Sequence, residues 1–284
     1  MGGAGVRRAG ALVVLLVVWE AAARLGWVSS LLMPPPIRVA AVLLELMGSG
    51  RLWPHLVVTM LEAGGGLVLG VGVGVVLGLA AALVPPLAEL LQPAMTLLNA
   101  VPRVILAPLL VIWLGIGLAS KVALSFLLVA VTVFFAVYSG IREVDPRLVD
   151  RVRTLGGSGL HLLREVYLPS VTAWLLSSLK VAVGFAFTGA VVGEFVASSR
   201  GLGYLLSFAQ STYNAALTIA LISLVVAVTF SIFAAFERLE RWVFRWRRGQ
   251  PFAEPLHAPS AGGASAGSAA IEEEAVQTSR SAAN

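Results

Sequence analysis

IREVDPRLVDRVRTLGGSGLHLLREVYLP, residues 141–169, is the longest polar interval in an otherwise apolar chain. Five arginines (Arg142, Arg147, Arg151, Arg153, Arg164) and four acids (Glu143, Asp145, Asp150, Glu165) fall within it. Asp145-Pro146 is a helix start, because Asp caps free N–H groups and Pro fits the first turn. The run 147–155 reads as helix, and Gly156-Gly157 breaks it. A second amphipathic piece, 160–167, sets Leu160, Leu163, Val166 and Tyr167 along one face. Pro169 is expected to end that piece and to open the next helix. The interval thus predicts two short helices at a right-angle turn, held between apolar segments.

Composition says what those segments are. The chain is 58% hydrophobic and 12% charged, with a mean hydropathy of +0.90, far from the quarter-charged average of soluble domains. Apolar runs of this length mean membrane spans, and the fold class is an all-α polytopic membrane protein with about six transmembrane helices. The expected spans are 9–26, 57–84, 90–118, 122–141, 170–195 and 215–236, with 142–169 as a loop and 249–284 as a disordered tail rich in Ala, Ser and Gly. For the first segment two readings stand. It is either a signal peptide cleaved near Ala21-Ala22-Ala23, or a retained span with Arg7 and Arg8 inside, which the parity of the spans favours.

Within the spans, particular residues stand out. Gly66, Gly70, Gly74 and Gly78 repeat every four residues and place a smooth stripe on one helix, suited to close helix packing. Gly184, Gly189 and Gly193 suggest the same for the fifth span. Span three is interrupted by Pro93, Pro102 and Pro108, with Asn99 and Arg103 between them. An arginine at membrane depth belongs against protein, water or solute, and broken helices occur there mostly where they line a cavity. Asn99, Arg103, Lys180, Thr188 and Glu194 are therefore the candidate pathway residues. For Arg103 and Lys180 an internal pair or snorkelling is the competing reading. Glu62 is expected near a span end, in reach of water, and Arg200–Tyr204 is expected to be a loop. Val39–Met47 reads as a short helix on the membrane surface.

Charge orients the chain. With six spans, one side carries Arg7, Arg8, Arg142, Arg147, Arg151, Arg153, Arg164, Arg238, Arg241, Arg245, Arg247 and Arg248, and the other only Arg24, Arg38, Arg51, Lys121 and Arg200. Twelve against five places the 142–169 loop and both termini in the cytoplasm by the positive-inside rule. Trp242 and Trp246 suit the interface at the end of the last span. The net charge of +5 thus reflects topology and gives no sign of a nucleic-acid partner.

Several chemistries are absent from the sequence. There are no cysteines, so no disulfide, thiolate metal site or cysteine nucleophile. Neither lysine follows a glycine-rich phosphate loop. His55, His161 and His257 have no metal-ligand spacing, and no G-x-S-x-G turn occurs. No catalytic residue, metal site or cofactor is expected. A stand-alone secondary transporter or channel remains as the alternative, to be favoured by inverted repeats and several intramembrane carboxylates.

The central stretch also resembles a family signature. Asp150-Arg151-Val152, three residues, Gly156, nine residues, and Val166-Tyr167-Leu168-Pro169 are similar to the cytoplasmic E-A-A…G…I-x-L-P motif of binding-protein-dependent ABC importer permeases. The glycine, leucine and proline match, and valine stands for isoleucine. Of the E-A-A triplet only the acid is kept, as Asp150. The segments LLMPPPIRV, Pro102–Val122, REVDPRLVD and GEFVASSRGLGYLL look like the nitrate/sulfonate/taurine (SsuC/TauC-like) subgroup, so the resemblance covers roughly Trp19 to Arg248. It implies a non-catalytic permease subunit importing a small solute, an oxyanion such as sulfonate, taurine or nitrate or a related organic compound. It implies two separate ABC ATPase subunits that hydrolyse ATP, an extracytoplasmic solute-binding protein and a second permease copy, in a bacterial inner membrane. Asp150, Leu155, Gly156, Leu160, Leu163, Val166, Leu168 and Pro169 then become ATPase-coupling residues. Gly156 would allow the turn and Pro169 would start the fifth span. Leu155, Leu160, Leu163 and Val166 would dock the partner or pack on their own bundle.

Overall fold

Glycine spacing sets the architecture. In the computed structural model, which describes residues 2–29 and 32–243, every regular element is helical. The order is α1 Gly2–Arg24, α2 Pro36–Gly48, α3 Leu52–Leu83, α4 Pro85–Ala100, α5 Leu106–Leu114, α6 Leu118–Arg142, α7 Pro146–Thr154, α8 Gly159–Leu162, α9 Leu168–Val196, α10 Leu202–Ser211 and α11 Ala215–Val243. Contacts divide the chain into units of residues 1–237 and 238–284, and the packing described here is that of the first. The expected tail 249–284, with Arg245, Trp246, Arg247 and Arg248, lies outside the described residues.

The stripe on α3 packs against α6 rung by rung. A Cβ added at Gly70 would lie 2.6 Å from Val129 Cβ, one at Gly74 2.8 Å from Val133 Cβ, and one at Gly78 2.8 Å from Val137 Cβ. Gly66 meets Ser125 in the same way. Each step of four on α3 matches a step of four on α6, so the two helices run parallel and in register. Backbones this close gain dispersion contacts that larger side chains would block. Helix α6 also meets α9, in reverse order: Gly189 against Ser125, Gly193 against Lys121, and Gly140 against Trp174. Helices α6 and α9 are therefore antiparallel, and the tight packing expected of Gly184, Gly189 and Gly193 is seen, with Gly184 against Phe233. The interior is filled by Val129, Val133, Val137, Ala182, Ala186, Phe187, Ala190 and Leu221.

Parallel α3 and α6 require the chain between them to return from one end of the bundle to the other. That return is α4, a 3-10 turn at Arg103–Ile105, and α5, bent by 83° between the two halves. The break is at Val101-Pro102; Pro93 is accommodated inside α4, and Pro108 lies within the first turn of α5. Four helices (α3, α6, α9 from Trp174, and α11) are long and apolar enough to cross a membrane, and the bent pair makes a fifth when counted as one span. α1 is not among them.

Three sequence expectations change. Lys121, counted above as a loop charge, lies inside α6 and is wholly buried. The 200–204 segment is largely helical, because α10 begins at Leu202. Pro169 does not end the 160–167 piece. A π turn at Leu163–Tyr167 leads from α8 straight into α9, with helical dihedrals at Leu162, Leu163, Tyr167 and Leu168. Proline lacks the N–H that an unbroken helix would use, and a local π turn is one way for a helix to proceed around such a gap.

Candidate functional site

The 142–169 loop is built by capping chemistry. Asp145 Oδ1 accepts the Arg147 N–H at 2.9 Å and starts α7, with Pro146 as the first helical residue. At the other end the Gly156 N–H donates to Arg153 O at 3.0 Å and the Gly157 N–H to Val152 O at 2.9 Å. These two bonds form a Schellman cap, whose turning residue is left-handed, and Gly156 has φ +77°. Gly157 has its own reason: a Cβ there would lie 2.5 Å from Val152 Cγ1.

The leucines divide by exposure. Val166 and Leu162 are buried, and Leu163 and Tyr167 half-buried, so these four fix the loop to the bundle. Leu155 and Leu160, on either side of the glycine turn, are 81% and 73% exposed, and Leu168 is exposed as well. Leu160 is thus not on the packed face that its spacing suggested. Asp150 and Pro169 are also exposed. Among the described residues nothing folds over these two leucines, which leave an exposed apolar surface on a polar loop.

At mid-depth the broken third span presents Arg103. Its guanidinium donates to Asn99 Oδ1 at 2.9 Å and to Leu128 O at 3.0 Å, and lies 5.5 Å from the Phe185 ring centroid. Leu128 and Phe185 are near the middles of α6 and α9, so the break in the helix is level with the bundle centre. Arg103 therefore faces protein while remaining half-exposed beside exposed Asn99, and Thr188 is exposed one turn along α9 from Phe185. Lys180 pairs with Glu237 of α11 and both stay partly exposed. Glu194 departs from the pathway group: it is 1% exposed and bonded on both oxygens within the protein.

Those bonds belong to a polar cluster at the end of α6 and α9 remote from the loop. Thr59 Oγ1 donates to Glu194 Oε1 at 2.7 Å and accepts the Leu202 N–H at 3.0 Å. The Gly203 N–H donates to Glu194 Oε2 at 2.8 Å, and the Gly201 N–H to His55 Nδ1 at 3.0 Å. His55 stacks on Tyr204 at 5.9 Å. Lys121 donates to Ile116 O and, at 3.1 Å, to Gly117 O. Glu62, expected to reach water, is 2% exposed. Sequence reasoning missed this cluster, although a signal was present: Glu62, Thr59 and His55 continue the glycine stripe of α3 toward its start in steps of four, three and four. No group of metal-ligating residues occurs among the described residues.

Comparison with known proteins points one way. The family described as "Binding-protein-dependent transport system inner membrane component" matches residues 70–245. A probable ABC transporter permease protein of Haemophilus influenzae is 35% identical, over 80% of this chain and 91% of its own. The riboflavin transport system permease protein RibX of Chloroflexus aurantiacus is 33% identical, over 83% and 88%. The putative aliphatic sulfonates transport permease protein SsuC of Bacillus subtilis is 32% identical, over 82% and 85%. In fold, a solved inward-facing structure of the MetNI methionine ABC transporter is similar, with a TM-score of 0.53 and 22% identity over 67% of this chain and 93% of that one.

Proposed function

The chain belongs to the binding-protein-dependent transport system inner membrane components, multi-pass permeases of ABC transporters, and from that membership we propose how its parts divide the work. The 142–169 loop lies in the cytoplasm and is gripped by an ABC ATPase subunit. Exposed Leu155 and Leu160 enter an apolar groove on that partner, Asp150 meets a basic residue there, and Gly156 holds the turn between them. Leu162, Leu163 and Val166 anchor the loop to the bundle, and the π turn before Pro169 passes its displacement into α9. The observation that carries this reading is the pair of uncovered leucines flanking a rigid, capped glycine turn.

The chain contributes no hydrolysis itself. Two ATPase subunits supply it, two permease copies pair to complete the passage, and a solute-binding protein delivers solute from outside. ATP-driven closure of the ATPases moves the loops, and the spans rock between two states that expose the passage alternately. The solute is a small oxyanion such as a sulfonate, taurine or nitrate, or a related organic compound. Arg103 supports this, since it places a half-exposed cation at mid-depth beside Asn99. The likeness to proteins named for riboflavin and for aliphatic sulfonates fits a passage that leaves much of the selection to the binding protein.

Reconstitution tests the reading. Liposomes holding the chain with its ATPase, supplied with binding protein and a panel of sulfonates, nitrate, taurine and riboflavin, should accumulate solute only with ATP and binding protein together. Accumulation by the chain alone would instead favour the secondary transporter.

A further inference from the structure

The cluster remote from the loop contains more charge than an interior tolerates unless it is balanced. Glu62 and Glu194 are 2% and 1% exposed, and Lys121 is wholly buried. Their placement follows from the rungs: one step before Gly66 on Ser125 brings Glu62 opposite Lys121, and Gly193 packs on the Lys121 stem. The Glu62 carboxyl meets the Glu194 carboxyl. Two carboxylates cannot hydrogen bond without a proton between them. If both were ionised, the three groups would carry a net negative charge with no water to solvate it.

Hydrogen bonds say which carboxyl holds the proton. Glu194 already accepts from Thr59 on one oxygen and from the Gly203 N–H on the other, as an ionised carboxylate does. Glu62 Oε2, by contrast, is buried and receives no hydrogen bond, so no donor there stabilises a negative charge. Other charged or titratable groups at this end, among the described residues, include His55, bonded to the Gly201 N–H and stacked on Tyr204, Arg200 near it, and Arg51 one turn before His55.

The same bonds fasten a loop. Glu194, Thr59 and His55 receive or share the N–H groups of three consecutive residues, Gly203, Leu202 and Gly201. Gly201 has φ +110° and lies directly on the Glu194 carboxyl, where any side chain would collide. Leu202, at the start of α10, is completely buried behind these bonds.

We propose that Glu62 and Glu194, with one proton between them on the Glu62 side and the buried Lys121 nearby balancing the remaining charge, form a latch that fastens residues 201–203 and α10 to α3 and α9. Its residues are positioning residues: they set whether the end of the bundle opposite the ATPase-binding loop is closed. The inference rests on the permease reading only for the side of the membrane on which the latch sits.

The chain has no native cysteine, so a Leu202→Cys variant carries a single labelling site. The full chain in membrane vesicles, without ATPase or binding protein, is treated with a membrane-impermeant maleimide. Slow labelling is expected in this background, rising at least tenfold on adding Glu194→Ala or Glu62→Ala. Glu62→Gln, which imitates the protonated acid, should stay within twofold of the background. Thr59→Val, nearly isosteric, should raise labelling several-fold, which keeps the test decisive if Glu194→Ala fails to insert. Labelling of Glu62→Gln as fast as Glu62→Ala would overturn the assigned proton. Unchanged labelling in Thr59→Val and Glu62→Ala would overturn the latch. Because no transport is measured, failure of the latch and failure of the permease reading are separate results.

Discussion

Gly70 and Val129 are so close that a single methyl group on the glycine would come within 2.6 Å of the Val129 Cβ. This contact is one of four between α3 and α6 that hold the two helices parallel, and the parallel arrangement forces the broken segment between them to cross the bundle. The interface gives the first prediction. Gly70→Val should destabilise the chain by about 1–3 kcal/mol, the usual range for overpacking a filled interior. Gly72→Val is the control, since a Cβ at Gly72 meets nothing within 4 Å. Thermal unfolding in detergent should separate the two, with Gly72→Val close to wild type.

Gly156 makes a different demand. Space around it is open, yet its φ of +77° suits few side chains. Gly156→Val should therefore cost about 1–3 kcal/mol through backbone strain alone. Gly156→Asn should be tolerated, because Asn enters the left-handed region readily. Both variants should insert, and ATP-driven uptake should fall in the valine variant only. Equal uptake in both would mean that the turn does not matter to coupling.

Arg103 makes two hydrogen bonds from a charged group and lies on the Phe185 ring. Arg103→Lys preserves charge but cannot reproduce the forked geometry. We expect uptake to fall roughly tenfold, equivalent to about 1.4 kcal/mol in the barrier, and Arg103→Gln to fall further for anionic solutes than for neutral ones. Equal loss for both solute classes would assign Arg103 to packing.

Lys180 and Glu237 tie α9 to α11 with side chains 47% and 46% exposed. Exposed pairs contribute about 0–1 kcal/mol. A double-mutant cycle with Lys180→Met and Glu237→Gln should give a coupling energy in that range and little change in uptake.

Much of this was legible in the sequence, for identifiable reasons. Glycines at intervals of four marked the α3 face, since only small residues allow such an approach, and Asp145-Pro146 and Gly156 marked both ends of α7 through capping rules that are local. What failed depended on neighbours far along the chain. Glu62 looked solvent-facing because acids in spans usually lie near water, whereas the packing of α3 on its neighbours buries it. Lys121 looked like a loop charge because its partners, Ile116 O and Gly117 O, are backbone atoms that no side-chain pattern reveals. Pro169 looked like a helix stop, whereas a π turn before it carries the helix past the missing N–H.

The central claim is that Leu155 and Leu160 are uncovered because a motor subunit covers them. In the cysteine-free chain, a Leu160→Cys variant assembled with an ATPase carrying one cysteine in its docking groove can be treated with a short bismaleimide. The account predicts a crosslink that forms from the cytoplasmic side, joins the two subunits and stops ATP-driven uptake. Residue 160 labelled from outside the cell, or no crosslink in a complex that transports, would contradict it.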